Sequence, residues 1–218
     1  MGNGKWEMRM GAFYRRFLKR FLDIIVAIIL GIVLIVPLFF VAILVKLTSK
    51  GPVFFKQERF GLNSKPFTLY KFRSMTDGAP IKANSEFKDI TSYVTPFGMF
   101  IRKTSIDELP QLLNIIKGDM SFIGPRPLAS TDEKVLALRK KSGADQVRPG
   151  ISGLAQVNGR NNITDENKAA YDAKYASRLS IQLDIVLIIE TLISVIKRDG
   201  IFKKEQLRDL DKDTVKND

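Results

Sequence analysis

Residues 24–45 run for about 22 positions without a charged side chain. As a helix rising about 1.5 Å per residue, the run reaches about 33 Å, enough for a bilayer hydrocarbon core of about 30 Å. A helix apolar on every side needs lipid or a large protein core around it, and a chain of 218 residues buries one core at most. A secretory leader also follows basic residues, here Arg15, Arg16, Lys19 and Arg20. Its apolar part, however, is only about 7–15 residues and ends at a small-residue cleavage site, which this run lacks.

Pro37 stands near the middle of the run, where its missing N–H and its ring predict a kink. Lys46, Lys50, Lys56 and Arg59 follow the run just as the four basic residues precede it. Because Lys/Arg-rich flanks favour the cytoplasmic face, this symmetry predicts a re-entrant helix with both ends on that face. Asp23, Phe13, Tyr14, Phe17 and Phe21 suit an interfacial start but equally an ordinary spanning helix.

The expected organisation is a membrane anchor over residues 1–46, one domain over 47–200 and a charged tail over 201–218. The fold class read from the sequence is α+β, mostly helical. Pro52-Val-Phe-Phe55 and Phe67-Thr-Leu-Tyr-Lys-Phe72, joined through Gly61-Leu-Asn-Ser-Lys-Pro66, predict a small β-hairpin. Residues 76–95 read as a polar loop with a short helix at most, and 108–116, 130–141 and 164–178 as helices. Residues 181–196 are aliphatic apart from polar positions such as Gln182, Asp184 and Glu190, a pattern for a helix packed in the core or lying on a membrane surface.

Composition then narrows the chemistry. A net charge of +12 calls for a polyanionic neighbour: nucleic acid, anionic lipid or a phosphorylated substrate. With neither cysteine nor histidine in the chain, thiolate nucleophiles and imidazole bases are excluded. Catalysis must use carboxylates, hydroxyls, lysines or a carboxylate-held cation such as Mg2+.

Three clusters carry such groups. In Arg102-Lys-Thr-Ser-Ile-Asp107-Glu108-Leu-Pro-Gln111, Pro110 requires a helix to begin close to Asp107, which puts two carboxylates at a helix N-terminus. Ser105 and Glu108 have capping-box spacing, so a purely structural role stands beside a catalytic one. Phosphate prefers the same place, provided that arginines such as Arg102 or a divalent cation offset the carboxylates. Lys117-Gly-Asp-Met-Ser-Phe-Ile-Gly-Pro-Arg126-Pro127 is too rich in Gly and Pro for a helix and fixes Arg126 in a rigid turn, as a phosphate contact or an ordinary surface turn. Val147-Arg-Pro-Gly-Ile-Ser-Gly-Leu-Ala-Gln-Val-Asn-Gly-Arg160 suggests a close backbone approach to a ligand. No dinucleotide fingerprint or Walker loop is present.

Taken in order, Tyr70-Lys-Phe-Arg-Ser-Met75, Ser105-Ile-Asp-Glu-Leu-Pro-Gln-Leu112, Lys117-Gly-Asp-Met-Ser-Phe-Ile-Gly-Pro-Arg-Pro127 and Val147-Arg-Pro-Gly150 with Ala155-Gln-Val157 resemble the bacterial sugar transferase family, the monotopic phosphoglycosyl transferases. The resemblance spans roughly residues 15–200. It implies that Asp107 attacks the β-phosphate of a UDP-sugar, expels UMP and holds the phosphosugar until undecaprenyl phosphate takes it. It assigns Mg2+ to Glu108 with Asp107, and phosphate or nucleotide contacts to Arg102, Arg126, Lys71, Gln156 and Arg160. It also implies a bacterial inner-membrane enzyme facing the cytoplasm, with a donor of the UDP-N-acetylated class. Its partners would be membrane lipid and downstream glycosyltransferases, with no nucleic acid. Val36 stands where the family often has Ser before the membrane proline, and Leu154 where many members have Trp. Two other readings remain: a membrane-tethered adaptor in which Asp107 and Glu108 only cap a helix, and a glycosyltransferase that releases UDP.

Overall fold

The computed structural model describes residues 13–76, 78–79, 91–159 and 163–197. The expected tail over 201–218, most of the loop over 76–95 and Arg160 fall outside them.

Helix α1 (Lys19–Thr48) covers the whole apolar run and continues through Pro37, so the lost backbone bond does not end the helix. Both of its halves rest on the rest of the protein. Ala27 and Leu30 pack with Leu69, Leu112, Ile115 and Met120, while Leu38, Val41, Ala42 and Val45 pack with Phe72 and Ile101. The other faces of α1 stay bare, with Ile32 68% and Val36 60% exposed. Leaving so many large aliphatic groups in water forgoes roughly 1.5–3 kcal/mol each, which lipid contact restores.

Strands β1 (Phe54–Phe60) and β2 (Pro66–Phe72) form an antiparallel hairpin in which Phe54 faces Phe72 and Phe60 faces Pro66. The first strand is longer than expected. Lys56, Gln57, Glu58 and Arg59 look like loop residues in sequence, but a two-stranded sheet leaves one face of each strand to polar side chains. Helix α2 (Pro96–Lys103) follows, capped by Thr95, whose hydroxyl accepts from Gly98 N at 2.9 Å. Next comes a 3-10 helix (Ile106–Gln111) leading directly into α3 (Leu112–Lys117). The helix expected over 108–116 is therefore two unlike turns with Pro110 in the first.

The two Gly/Pro-rich clusters are not separate turns. Strand β3 (Ser121–Ile123) pairs in parallel with β4 (Gly150–Ser152). A Cβ on Gly150 would meet Gly124 N at 2.1 Å, and one on Gly153 would meet Gly124 O at 2.1 Å. These glycines let two backbones touch each other, which is what the sequence pattern suggested for a ligand. Helix α4 (Glu133–Ser142) lies between the two strands in sequence, and α5 (Leu154–Val157) follows β4. Helix α6 (Asp165–Arg178) matches the helix expected over 164–178, with Thr164 as its N-cap.

Helix α7 (Ile181–Lys197) answers the core-or-surface question on both sides. Leu187 is fully buried with Ile123, Val147 and Tyr175, whereas Ile189, Leu192 and Ile196 face outward. Its Asp184 is buried and binds three groups: Oδ2 accepts from Tyr14 Oη and Lys19 Nζ, both at 2.5 Å, and Oδ1 accepts from Tyr175 Oη at 2.7 Å. A buried carboxylate needs such partners. The knot ties the start of α1 to α6 and α7.

Candidate active site

Asp107 lies in the first turn of the 3-10 helix and is 8% exposed. Ser105, in the left-handed region at φ 57°, precedes that turn and makes no side-chain cap bond. The expected capping box is therefore absent, and Glu108 turns elsewhere: its Oε1 accepts from Lys71 Nζ at 2.6 Å and lies 3.6 Å from Arg126 Nη2. Neither acidic residue is spent on capping.

Each cation comes from a different element. Lys71 projects from β2, Arg102 from the last turn of α2, and Arg126 from the loop after β3. Arg126 sits between Pro125 and Pro127, and its backbone is held from behind. Arg139 on α4 donates from Nη1 to Arg126 O at 2.8 Å while its Nε and Nη2 bind Asp172 Oδ2 on α6 at 2.8 and 2.7 Å. Arg139 and Asp172 are both buried, so the pair makes a fixed strut under the Arg126 loop.

The electrostatics match the geometry. Burial pushes the Asp107 carboxyl up to about 6, against the pull of Lys71 first and of Arg102 and Arg126 after it, while the Glu108 charge adds to the rise. Burial likewise lowers the Arg102 guanidinium below its usual range, although Asp107 and Glu108 support its charge. An acid with a pKa of about 6 is mostly ionised at neutral pH, yet it is poorly solvated and so is a better nucleophile than a surface aspartate.

Of the residues singled out in the sequence, the fold brings Asp107, Glu108, Lys71, Arg102 and Arg126 into one electrostatic cluster. Gln156 is placed differently. It lies on α5 close to Gly153, its Oε1 3.1 Å from where a Cβ on Gly153 would stand, and its buried amide makes no hydrogen bond. Sequence reading missed Arg59. This β1 residue is pushed down to about 10 by burial and then by the nearby Arg126 charge, and its side chain reaches Gln57 and Asp132. Nothing in its local motif marks it; only the hairpin register carries it there.

Among the described residues no three carboxylates gather as a ready metal cage. A cation here would take Asp107 and Glu108 from the protein and the rest of its shell from water and substrate phosphate. That donor set fits Mg2+, which binds through one or two carboxylates plus phosphates, better than Ca2+, which takes six to eight oxygens.

Residues 14–198 match the bacterial sugar transferase family. An uncharacterized sugar transferase, EpsL, of Bacillus subtilis is 47% identical over 167 residues, covering 77% of this chain and 81% of that protein. The exopolysaccharide production protein PSS of Rhizobium leguminosarum is 38% identical, covering 74% of this chain and 86% of its own length. A UDP-glucose:undecaprenyl-phosphate glucose-1-phosphate transferase of Klebsiella pneumoniae is 44% identical over 71% of this chain, and the match spans only 35% of that longer protein. With the family match running from just before α1 to the end of α7, the chain belongs to the bacterial sugar transferases.

Proposed function

We propose that this transferase moves a sugar phosphate from a UDP-sugar to undecaprenyl phosphate, releasing UMP. The observation that carries the reading is a buried, ionisable Asp107 beside Lys71, Arg102 and Arg126, in a chain without His or Cys. An Asp107 carboxylate oxygen attacks the β-phosphorus of the donor. The Pβ–O bond to the α-phosphate breaks, UMP leaves with that electron pair, and the sugar phosphate stays on Asp107. A phosphate oxygen of the lipid then attacks the same phosphorus, and the Asp107 carboxylate departs unchanged. Lys71, Arg102 and Arg126 offset the charge that builds on the phosphoryl oxygens. Mg2+ held by Glu108 and Asp107 would add Lewis-acid neutralisation of the diphosphate.

Relatives support the substrates. The Klebsiella protein is named for UDP-glucose and undecaprenyl phosphate, and a Salmonella typhimurium relative, 36% identical, is named an undecaprenyl-phosphate galactose phosphotransferase. Glucose and galactose therefore head the donor panel, with N-acetylated sugars beside them.

The packing of α1 supports a monotopic anchor whose two ends share the cytoplasmic face. Both halves of α1 lean on the same hairpin, leaving residues 31–37 between the packed stretches. That gap is only about 10 Å of helix, a third of the hydrocarbon thickness. Exposed Ile189, Leu192 and Ile196 of α7 supply a further lipid-facing surface.

The test is nucleotide release by detergent-solubilised protein given each UDP-sugar, undecaprenyl phosphate and Mg2+. UMP release that depends on the lipid supports the reading. UDP release would make the enzyme an ordinary glycosyltransferase, and no product with any sugar would favour the adaptor.

A further inference from the structure

A second basic site lies away from the carboxylate pair. Where α1 begins, a cavity of about 50 Å³ is lined by Arg15, Lys19, Arg20, Asp23, Ser121 and Arg148 among others. None of the five clustered residues of the active site lines it. Four cations face one carboxylate there, and among the described residues Lys19 alone has a carboxylate partner of its own, in Asp184.

The two deeper arginines are held rigidly. Arg20 donates to Ile115 O at 2.6 Å and to Ile116 O at 3.2 Å, and Arg148 donates from Nε to Gly118 O at 3.0 Å. Each thereby caps the end of α3 with part of its guanidinium, and the two charges repel each other. Capping explains three of the ten N–H groups on this pair. It does not explain why like charges converge on a cavity. Arg15 adds a third guanidinium, tied among the described residues only by a long 3.5 Å contact to Ala176 O. Ser121 Oγ is buried without a hydrogen bond; its dipole steadies the Asp23 charge without reaching bonding geometry.

A cavity of about 50 Å³ holds several water-sized groups, enough for a phosphate and far too little for a nucleotide. Arginine forks are the usual partners of phosphate oxygens. The location selects the source. Arg15, Lys19 and Arg20 occupy the turns immediately before the apolar run that starts at residue 24, the depth at which lipid phosphates lie once that run is in a bilayer.

We infer that this cavity binds the phosphate of an anionic membrane phospholipid and so fixes the depth and tilt of α1 beneath the catalytic domain. The inference rests on the reading of α1 as a membrane anchor. The site is distinct from the one that takes the transferred phosphate.

The experiment measures binding of short-chain phosphatidylglycerol, short-chain phosphatidylcholine and inorganic phosphate to the detergent-solubilised full chain by calorimetry. The background is Lys71→Met/Arg126→Gln, so that the catalytic phosphate contacts do not compete. One saturable phosphatidylglycerol site is expected, at least tenfold tighter than for either other probe. Arg15→Gln should weaken it severalfold and Arg15→Gln/Arg148→Gln at least tenfold. Arg15→Gln alone, on the otherwise native chain, should leave detergent-phase UMP release unchanged, which guards against a folding defect. Unchanged lipid binding in the double variant overturns the site, and equal affinity for inorganic phosphate overturns the lipid source. Flotation with phosphatidylglycerol vesicles separates the two levels: if the native chain does not float, the anchor reading fails, whereas a floating chain without the saturable site sinks only this inference.

Discussion

Replacing Asp107 by asparagine should make the protein more stable at pH 8 while abolishing turnover. The buried carboxyl is raised from 3.8 to about 6, so the folded state binds its proton more tightly than the unfolded chain does. Its favourable contribution is therefore present below the unfolded value and is lost as pH rises through about 6. At pH 8 the ionised group therefore costs about 3 kcal/mol. At pH 4 the folded carboxyl stays protonated and the unfolded one is only part-ionised, so the cost falls below about 1 kcal/mol. Asparagine keeps the shape and removes the charge. At roughly 2–4 °C per kcal/mol for a domain of this size, the melting midpoint of Asp107→Asn should exceed the native one by about 6–12 °C at pH 8 and nearly coincide with it at pH 4. The assay is thermal denaturation in detergent with EDTA, so that no divalent cation neutralises the carboxylates. Equal or lower midpoints for the variant at pH 8 would refute the idea that folding holds Asp107 in a costly, reactive state.

Lys71→Met removes the charge that most strongly holds Asp107 down, so the acid limb of the rate profile at fixed Mg2+ should move up by about one unit; an unmoved limb would detach Lys71 from Asp107. Arg139→Met leaves Asp172 buried and unpaired and should cost about 3–5 kcal/mol; near-native melting would show that the strut is not needed. Asp184→Asn weakens the knot that binds Tyr14, Lys19 and Tyr175 and should increase proteolysis between α1 and the domain; an unchanged digestion pattern would mean that lipid and the α1 cores suffice.

Much of this was legible in sequence where one local pattern decides one element. The charge-free run made α1, and the helical pattern over 164–178 made α6. The carboxylate pair was legible because Pro110 leaves few places for a helix to begin. What escaped depends on pairing at a distance. The β3–β4 pair joins three-residue strands about 30 residues apart, too short to show a period. Arg59 and Arg139 look like ordinary surface cations until the hairpin register and the helix packing set them beside Arg126. Asp184 likewise reads as a polar break in an aliphatic helix, whereas the fold makes it the tie to the start of α1.

The most direct test of the account is to incubate the purified enzyme with its UDP-sugar and Mg2+ but no lipid acceptor, then to locate any adduct by peptide mass spectrometry. About one UMP released per enzyme is expected, with a sugar-phosphate mass on the peptide containing Asp107, discharged by undecaprenyl phosphate and absent from Asp107→Asn. Turnover with lipid but no adduct without it, or an adduct on another residue, would contradict it.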